Sequence, residues 1–341
     1  MIQMLAPMSL TAPATTFLAR HAYNNTTLEA LPSDASPRSY IRLLGEDKLL
    51  MEDRTDPVGF ASFIRLARHL TGLGLSAPRV FGTAPGIGLA LIEDFGSATY
   101  GNLLEAGHDE ISLYELAIDA LVHLHAHPQS TEVSAPAYDM DLLLQEISIF
   151  SEWFVPKIAP TVDVSRFDTT FRALWRAALA PVLDAPKALV LRDFHIDNLM
   201  LLKERDGVKA CGLLDFQDCV LGAAEYDLMS LLQDARRDLA SGLENSMLKR
   251  YLVAIPTSCG TPVEIMKRYH LLAAQRHTRI VGLFPRLNKR DGKTGYLQFI
   301  PRVMQQMQTA LIDADLPEIA DFIDTNLPGW RNAGATMAQR P

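Results

Sequence analysis

With 341 residues, 48% of them hydrophobic and 21% charged, the chain is long enough for two cores and has the balance of an ordinary soluble globular protein. A formal net charge of -8 argues against nonspecific nucleic-acid binding. No apolar run reaches the roughly eighteen residues of a membrane span, and the three cysteines, Cys211, Cys219 and Cys259, lack metal-ligand spacing, which fits a reducing cytoplasm.

Met1-Ile-Gln-Met-Leu5 has no basic n-region, the first arginine being Arg20, so no signal peptide is expected. A helix is predicted from Pro13 to Tyr23, with Thr11 as its cap and Asn24-Asn25 as its stop. Thr27–Leu31 and Ser39–Leu44 read as strands on either side of a turn-rich Pro32–Pro37. Gly45-Glu-Asp47 then makes a hairpin turn into a third strand, Lys48–Met51. A helix over Val58–Thr71 is followed by strands Pro78–Gly82 and Gly86–Ile92, ending at Glu93-Asp-Phe-Gly96. A five-stranded sheet with one helix, followed by a largely helical remainder, is the expected α+β architecture.

Tyr100–Leu104 and Ser112–His127 are predicted helices. His123, His125 and His127 alternate at the end of the second, but on a helix only His123 and His127 share a face, and Pro128 follows at once. A helix end with one buried histidine is therefore expected in preference to a metal site. Pro128–Asp139 reads as a loop. Met140–Phe154 and Arg166–Leu183 read as amphipathic helices bracketing Pro156–Val164, with Trp153 and Trp175 in the core.

Ala188–Leu191, Leu199–Leu202 and Ala210–Leu214 are short apolar runs that read as buried strands. Asp193, Asn198 and Asp215 sit at their ends, where loops aim side chains. This D-x-x-x-x-N spacing followed by D-F-x resembles that of protein-kinase-like phosphotransferases, whose chemistry needs a carboxylate to receive or orient the proton of an attacking hydroxyl, and Asp193 fits. The same chemistry needs hard oxygen ligands for Mg²⁺ on nucleotide phosphates, and Asn198 and Asp215 fit. Asp227 stands at the start of a helix, where an acid suits the positive end and can bind backbone N–H groups of the catalytic loop, a structural role. His195 is expected to support that loop rather than act as a base, and Asp218 either orients substrate or caps a turn. From Arg276 to Lys293 the chain carries Arg276, Arg279, Arg286, Lys289, Arg290 and Lys293 with Asp291 as the sole acid. This basic segment is either a solvated helix face or a pocket wall for an anionic substrate. Residues after Pro328 read as a loose tail.

The spacing from Asp193 to Asn198, followed by Asp215-Phe-Gln217, resembles the protein-kinase-like phosphotransferases and in particular the aminoglycoside phosphotransferase family. Longer strings resemble its bacterial anomeric kinases of N-acetylmuramate and N-acetylglucosamine. They are Asp193-Phe-His-Ile-Asp-Asn-Leu-Met200, Asp215-Phe-Gln-Asp218, Glu225-Tyr-Asp-Leu-Met-Ser-Leu-Leu232 and Gln275-Arg-His277 through Arg290-Asp-Gly-Lys293. The likeness runs from about Ser33 to about Arg302. It implies a two-lobed protein-kinase-like fold with a small antiparallel β-sheet lobe over 1–94 that binds nucleotide. A larger, mainly helical lobe over 95–330 would carry catalysis and substrate, leaving 331–341 as a tail.

The resemblance further implies ATP and Mg²⁺, a small amino-sugar acceptor converted to its 1-phosphate in cell-wall recycling, and no obligate protein partner. It places Ser36 and Arg38 in a loop over the nucleotide, with Arg42 nearby, although the residues alone read equally well as an ordinary hairpin. It makes Ile92, Glu93, Asp94 and Phe95 the lobe connection whose backbone meets the adenine edge. His195, Asp218, Arg276, Arg279 and Arg286 become candidates for substrate binding. Two departures stand out. Met51 falls near where the kinase pattern has a lysine, and Val58–Thr71 holds Arg65 and Arg68 but no acid, so the usual Lys–Glu pair cannot form. Arg38, Arg42 or Lys48 is expected to neutralise phosphate instead. Gln217 stands where protein kinases have glycine, which restricts backbone flipping. A kinase for another acceptor (an antibiotic, an amino alcohol or a different sugar) and a nucleotide-binding pseudokinase are the alternatives.

Overall fold

The structure, a computed structural model, describes residues 10–32 and 38–338. They form two compact units: one takes in the chain through Val133 together with Ile196–Asp218, the other Ser134–His195 and the chain from Cys219 onward.

The first unit holds helix α1 (Ala12–Arg20) and a five-stranded antiparallel sheet of β1 (Leu28–Ala30), β2 (Ser39–Leu43), β3 (Lys48–Glu52), β4 (Val80–Ala84) and β5 (Leu89–Glu93), in the order β1-β2-β3-β5-β4. The β2–β3 hairpin turns at Gly45, whose φ of 84° suits a residue without Cβ. Alternate residues Ile41, Leu43, Leu50, Leu89 and Leu91 point to one face and pack against Ala14, Phe17 and Leu18 of α1. The fifth strand begins later than its apolar run suggests, because Pro85–Ile87 forms a single turn of 3₁₀ helix closed by Gly88 at φ 64°. Between β3 and β4, α2 (Pro57–Gly72) starts at the Asp56 cap, whose side chain accepts from Gly59 N at 2.8 Å. Phe60, Phe63, Ile64, Ala67 and Leu70 recur at helical spacing as its buried stripe.

The same unit continues through α3 (Tyr100–Glu105) and α4 (Glu110–Ala126) and includes the ribbon Leu199–Leu201/Cys211–Leu213. Backbone bonds attach that ribbon: Leu213 N donates to Ser76 O at 2.7 Å and Leu201 N to Ala98 O at 3.0 Å. The boundary expected after Asp94 thus falls just past β5, inside this unit.

The second unit is mainly helical: α5 (Met140–Trp153), α6 (Val155–Ile158), α7 (Val164–Ala178), α8 (Ala180–Leu183), α9 (Glu225–Leu232), α10 (Leu243–Ala254), α11 (Pro262–Asp291), α12 (Ile300–Asp313), α13 (Pro317–Asn326) and α14 (Ala333–Ala338). The helix expected over Arg166–Leu183 is two, because Pro181 cannot donate to the preceding turn. A strand pair, Lys187–Val190 with Val220–Ala223, leads into the Asp193 loop; its second strand was not legible in the sequence. The thirty-residue α11 begins with a capping box between Thr261 and Glu264 and ends at left-handed Gly292. Where α11 crosses α5, a Cβ on Gly282 would lie 2.3 Å from Ile149 O, so only glycine permits the approach.

Two readings of the sequence need correction here. The described residues after Pro328, through Ala338, are not a loose tail: Trp330 is fully buried, its Nε1 donates to Asp324 Oδ1 at 2.7 Å, and α14 follows. Trp175 is in the core as expected, but Trp153 is only half-buried. Among the described residues no helix is long and apolar enough to cross a membrane.

Candidate active site

The candidate residues are divided between the units, the segment that carries Asp193 and Asn198 passing from the second to the first after His195. In the second unit, Leu191-Arg192-Asp193 leaves the strand Lys187–Val190 in a tight turn, with Asp193 N donating to Leu191 O at 2.9 Å. Arg192 has φ 70°, a conformation that costs a non-glycine residue about 1 kcal/mol or more. Several bonds hold it there. The fully buried Asp227 carboxylate accepts Leu191 N at 2.6 Å and Arg192 N at 2.8 Å, and Ser230 Oγ donates to Arg192 O at 3.3 Å. The Arg192 guanidinium pairs with buried Glu146 on α5, which also accepts from Tyr138 OH at 2.6 Å and Gln275 Nε2 at 3.0 Å. Burial opposes the charge on Glu146, but Arg279 and Arg192 outweigh it and hold the carboxyl below its usual value. Burial pushes Asp227 up to about 7; its two backbone bonds work against that shift and the nearby Asp193 charge adds to it.

His195 is buried beside Arg236, Asp234 and Arg276. Burial, then the Arg236 charge, pushes its imidazole down to about 3, so it is neutral at neutral pH. Arg276 is buried and makes no hydrogen bond or ion pair among the described residues; its Nη1 is wholly enclosed without an acceptor. Asp234 Oδ2 is likewise enclosed without a donor, while Oδ1 accepts Arg236 N at 2.8 Å. Gln233, directly before Asp234, and Arg237, three residues after it, line a cavity of about 610 Å³ together with Glu244, His270 and Gln306. Of the other arginines proposed for substrate, Arg279 is held by Glu146 at 3.6 Å and by Tyr226 OH at 3.3 Å. Arg286 is half-buried and, with Glu146, Trp153 and Arg290, lines a cleft of about 380 Å³.

In the first unit, the ribbon register Leu199↔Leu213 and the bond from Leu214 N to Asn198 O at 3.0 Å bring Asn198 and Asp215 to the same end of the two strands. Asp215 is exposed with φ 57°, and among the described residues its Oδ2 accepts no hydrogen bond. One carboxylate and one amide oxygen suit Mg²⁺, which takes few protein ligands and completes its shell with water and phosphate oxygens. Asp218 is exposed and makes no hydrogen bond among the described residues, so it caps no turn. At the end of β5, Ile92 is buried, Glu93 pairs with Arg205, Asp94 N donates to Asp47 O at 3.2 Å, and the Arg205 guanidinium lies 5.2 Å from the Phe95 ring centre.

The sequence pattern of the phosphotransferase enzyme family matches residues 27–259. The chain belongs to this family. The N-acetylmuramate/N-acetylglucosamine kinase of Caulobacter vibrioides is 36% identical to it over 92% of this chain and 95% of that protein. The kinase of the same name from Pseudomonas aeruginosa is 31% identical over 85% of each. Solved structures share the fold at lower identity. An ADP-bound aminoglycoside phosphotransferase superposes with a TM-score of 0.61 at 17% identity, over 88% of this chain and 99% of that one. A choline/ethanolamine kinase family protein from Mesorhizobium loti gives 0.58 at 14% identity, over 92% and 100%. The expected protein-kinase-like fold is the fold of this chain.

Within this phosphotransferase the cations named for nucleotide phosphate have separate fates. Ser36 lies outside the described residues. Arg42 grips Asp94 through two bonds, one of 3.0 Å, and Lys48 lies 3.6 Å from Glu46 and over the rings of Tyr23 and Phe81. Arg38 alone of the three is tied to the segment that carries Asp215, through Gln217 at 3.0 Å. Met51 is fully buried in the sheet, as its apolar character requires. Of the three histidines, His125 is the buried one, His123 Nε2 lies 2.7 Å from Leu73 O, and no metal-binding group of His, Cys, Asp and Glu exists among the described residues. The sequence reading missed Glu146 and Asp234. Only Asp234 left a signal, the polar string Gln233-Asp-Ala-Arg-Arg-Asp238 that breaks an apolar helix.

Proposed function

We propose that this ATP-dependent sugar kinase phosphorylates the anomeric hydroxyl of N-acetylmuramate, N-acetylglucosamine or a similar amino sugar. The product is the sugar 1-phosphate, and the reaction serves recycling of cell-wall sugars in the cytoplasm. The names of the relatives support the acceptor class. Asp193 receives the proton of the acceptor hydroxyl, and Asn198 and Asp215 hold Mg²⁺, which when bound neutralises charge on the transferring phosphoryl group. Asp227 fixes the turn before Asp193, so the base is in position before substrate arrives.

One observation favours an acidic amino sugar over a cationic acceptor. Beside His195, Arg276 Nη1 and Asp234 Oδ2 are buried with their hydrogen-bonding capacity unused. A buried donor or acceptor left open costs about 1–3 kcal/mol, more when charged, and a ligand with matching groups recovers it. A carboxylate answers Arg276 and a sugar hydroxyl answers Asp234. An aminoglycoside or choline offers no carboxylate.

The test is incubation with ATP, Mg²⁺ and a sugar panel, with the transferred phosphate located by phosphorus NMR. Phosphate on the anomeric carbon is expected, and a methyl glycoside should be inert. Phosphorylation of the methyl glycoside at another hydroxyl overturns the assignment.

A further inference from the structure

The kinase pattern couples the helix after the third strand to the catalytic centre through a lysine and a glutamate; here β3 has its lysine only at its first position, Lys48, which lies 3.6 Å from Glu46, and α2 holds no acid, so that pair does not form. The structure has a different connection in the same unit. Arg38, directly before β2, is buried and donates through Nε to the buried Asp53 at 3.1 Å. Its Nη1 donates to Gln217 Oε1 at 3.0 Å, and Gln217 Nε2 donates to Asp215 Oδ1 at 2.7 Å. The amide serves both neighbours at once, its oxygen accepting from the cation and its NH₂ donating to the carboxylate. Three further contacts pin the segment to α2 and to Arg38. Ser62 Oγ donates to Gln217 O at 2.8 Å, Phe216 stacks on Phe63 with centroids 5.2 Å apart, and the Arg38 guanidinium lies 5.4 Å from the same Phe63 ring.

We propose that Gln217 is a positioning residue for the metal carboxylate and that Arg38, anchored on Asp53, holds it in register, so that this relay does the work of the absent Lys–Glu pair. Gln217 occupies Asp215 Oδ1 and leaves Oδ2 without a hydrogen bond among the described residues, which limits the orientations open to this exposed aspartate in its left-handed conformation. Side chains that orient a metal ligand typically contribute 10–100-fold to metal affinity. Glycine at this position, as in protein kinases, leaves the carboxylate free to turn; glutamine removes that freedom.

The inference rests on Asp215 being the metal ligand, and the experiment separates the two. Nucleotide binding is titrated calorimetrically with and without Mg²⁺ for the wild type, Gln217→Ala, Arg38→Lys, their double variant and Asp215→Ala. Gln217 is half-exposed, so its alanine variant should fold normally, which thermal melting checks. Gln217→Ala is expected to raise the Mg²⁺ concentration for half-maximal binding about tenfold while leaving metal-free nucleotide binding unchanged. Arg38→Lys can reach Asp53 or Gln217 but not both, and should give a smaller shift that does not add to the first. If Asp215→Ala moves the Mg²⁺ midpoint and Gln217→Ala does not, the relay is wrong and the metal assignment stands. If Asp215→Ala does not move it, both fall. Equal losses with and without Mg²⁺ in Gln217→Ala make the glutamine a packing residue and overturn the proposal.

Discussion

Asp227 accepts the backbone N–H of Arg192 at 2.8 Å and so holds, in a left-handed conformation, the residue directly before Asp193. The carboxylate takes Leu191 N as well, and no other side chain offers two acceptor oxygens at this reach except glutamate. Asp227→Asn keeps the size but presents an NH₂ group to one of the two donors. It should lower kcat about tenfold or more with little change in KM for ATP, and lower the melting temperature by the equivalent of about 1–3 kcal/mol. Steady-state kinetics with a melting curve decides this; an unchanged kcat would free the turn from Asp227.

The proposed base, Asp193, should behave differently from its support. Asp193→Asn cannot take a proton, so turnover should fall by about 10²–10⁴ while nucleotide titrations stay near wild type. Near-normal turnover in the folded variant would remove Asp193 from the mechanism and leave positioning and charge as the sources of catalysis.

Asp193, Asn198 and Asp215 stood out in the sequence because their spacing is local: Asp193 and Asp215 come just after short apolar runs and Asn198 directly precedes one, and all three runs form strands. Asp227 was legible for the same reason, standing at a helix start. What could not be read arrives through packing across the chain. Glu146 is an ordinary acid in an amphipathic helix until folding brings Arg192, Arg279, Tyr138 and Gln275 around it. Arg42 has the charge for phosphate, yet its strand position sets it against Asp94. Trp153 shares α5 with core residues but lies on the flank that faces a cleft, and burial of an aromatic is a tendency that one helix position can escape. Val220–Ala223 is short and contains Gly222, so neither length nor pattern marked it as a strand.

Acid sensitivity follows from three buried imidazoles. His125, His195 and His277 are each pushed down to about 3, burial being the main cause. Their unfolded values lie near 6.5, so the stability they contribute is present above pH 6.5 and is lost as pH falls toward 3. Asp227, raised to about 7, acts in the opposite sense and gains stability as pH falls from 7 toward its unfolded value. The histidines outnumber it, so denaturant midpoints should drop between pH 6 and pH 4.5. His125→Gln removes one of the three protons and should flatten that limb by about 1.4 kcal/mol per pH unit. A limb parallel to wild type would mean that His125 is already charged or is hydrated when folded.

The open donor on Arg276 makes the most specific prediction about substrate. If it receives the lactyl carboxylate of N-acetylmuramate, one charge-assisted hydrogen bond is worth about 1.5–3 kcal/mol, or roughly ten- to a hundredfold in KM. Arg276→Ala should therefore raise KM for N-acetylmuramate and leave N-acetylglucosamine nearly unchanged, because only the acidic sugar loses a partner. Arg276→Lys should recover part of the difference, keeping the charge without the planar fork. Asp234→Asn should weaken both sugars alike, since a hydroxyl donor is common to them. Arg279→Ala is the contrasting control: it strips a cation from buried Glu146, so both sugars and the melting temperature should suffer together. Equal losses for both sugars in Arg276→Ala would make that guanidinium part of the scaffold around His195 and Asp227, and the acceptor's carboxylate would have to be sought at Arg286 in the cleft beside Trp153.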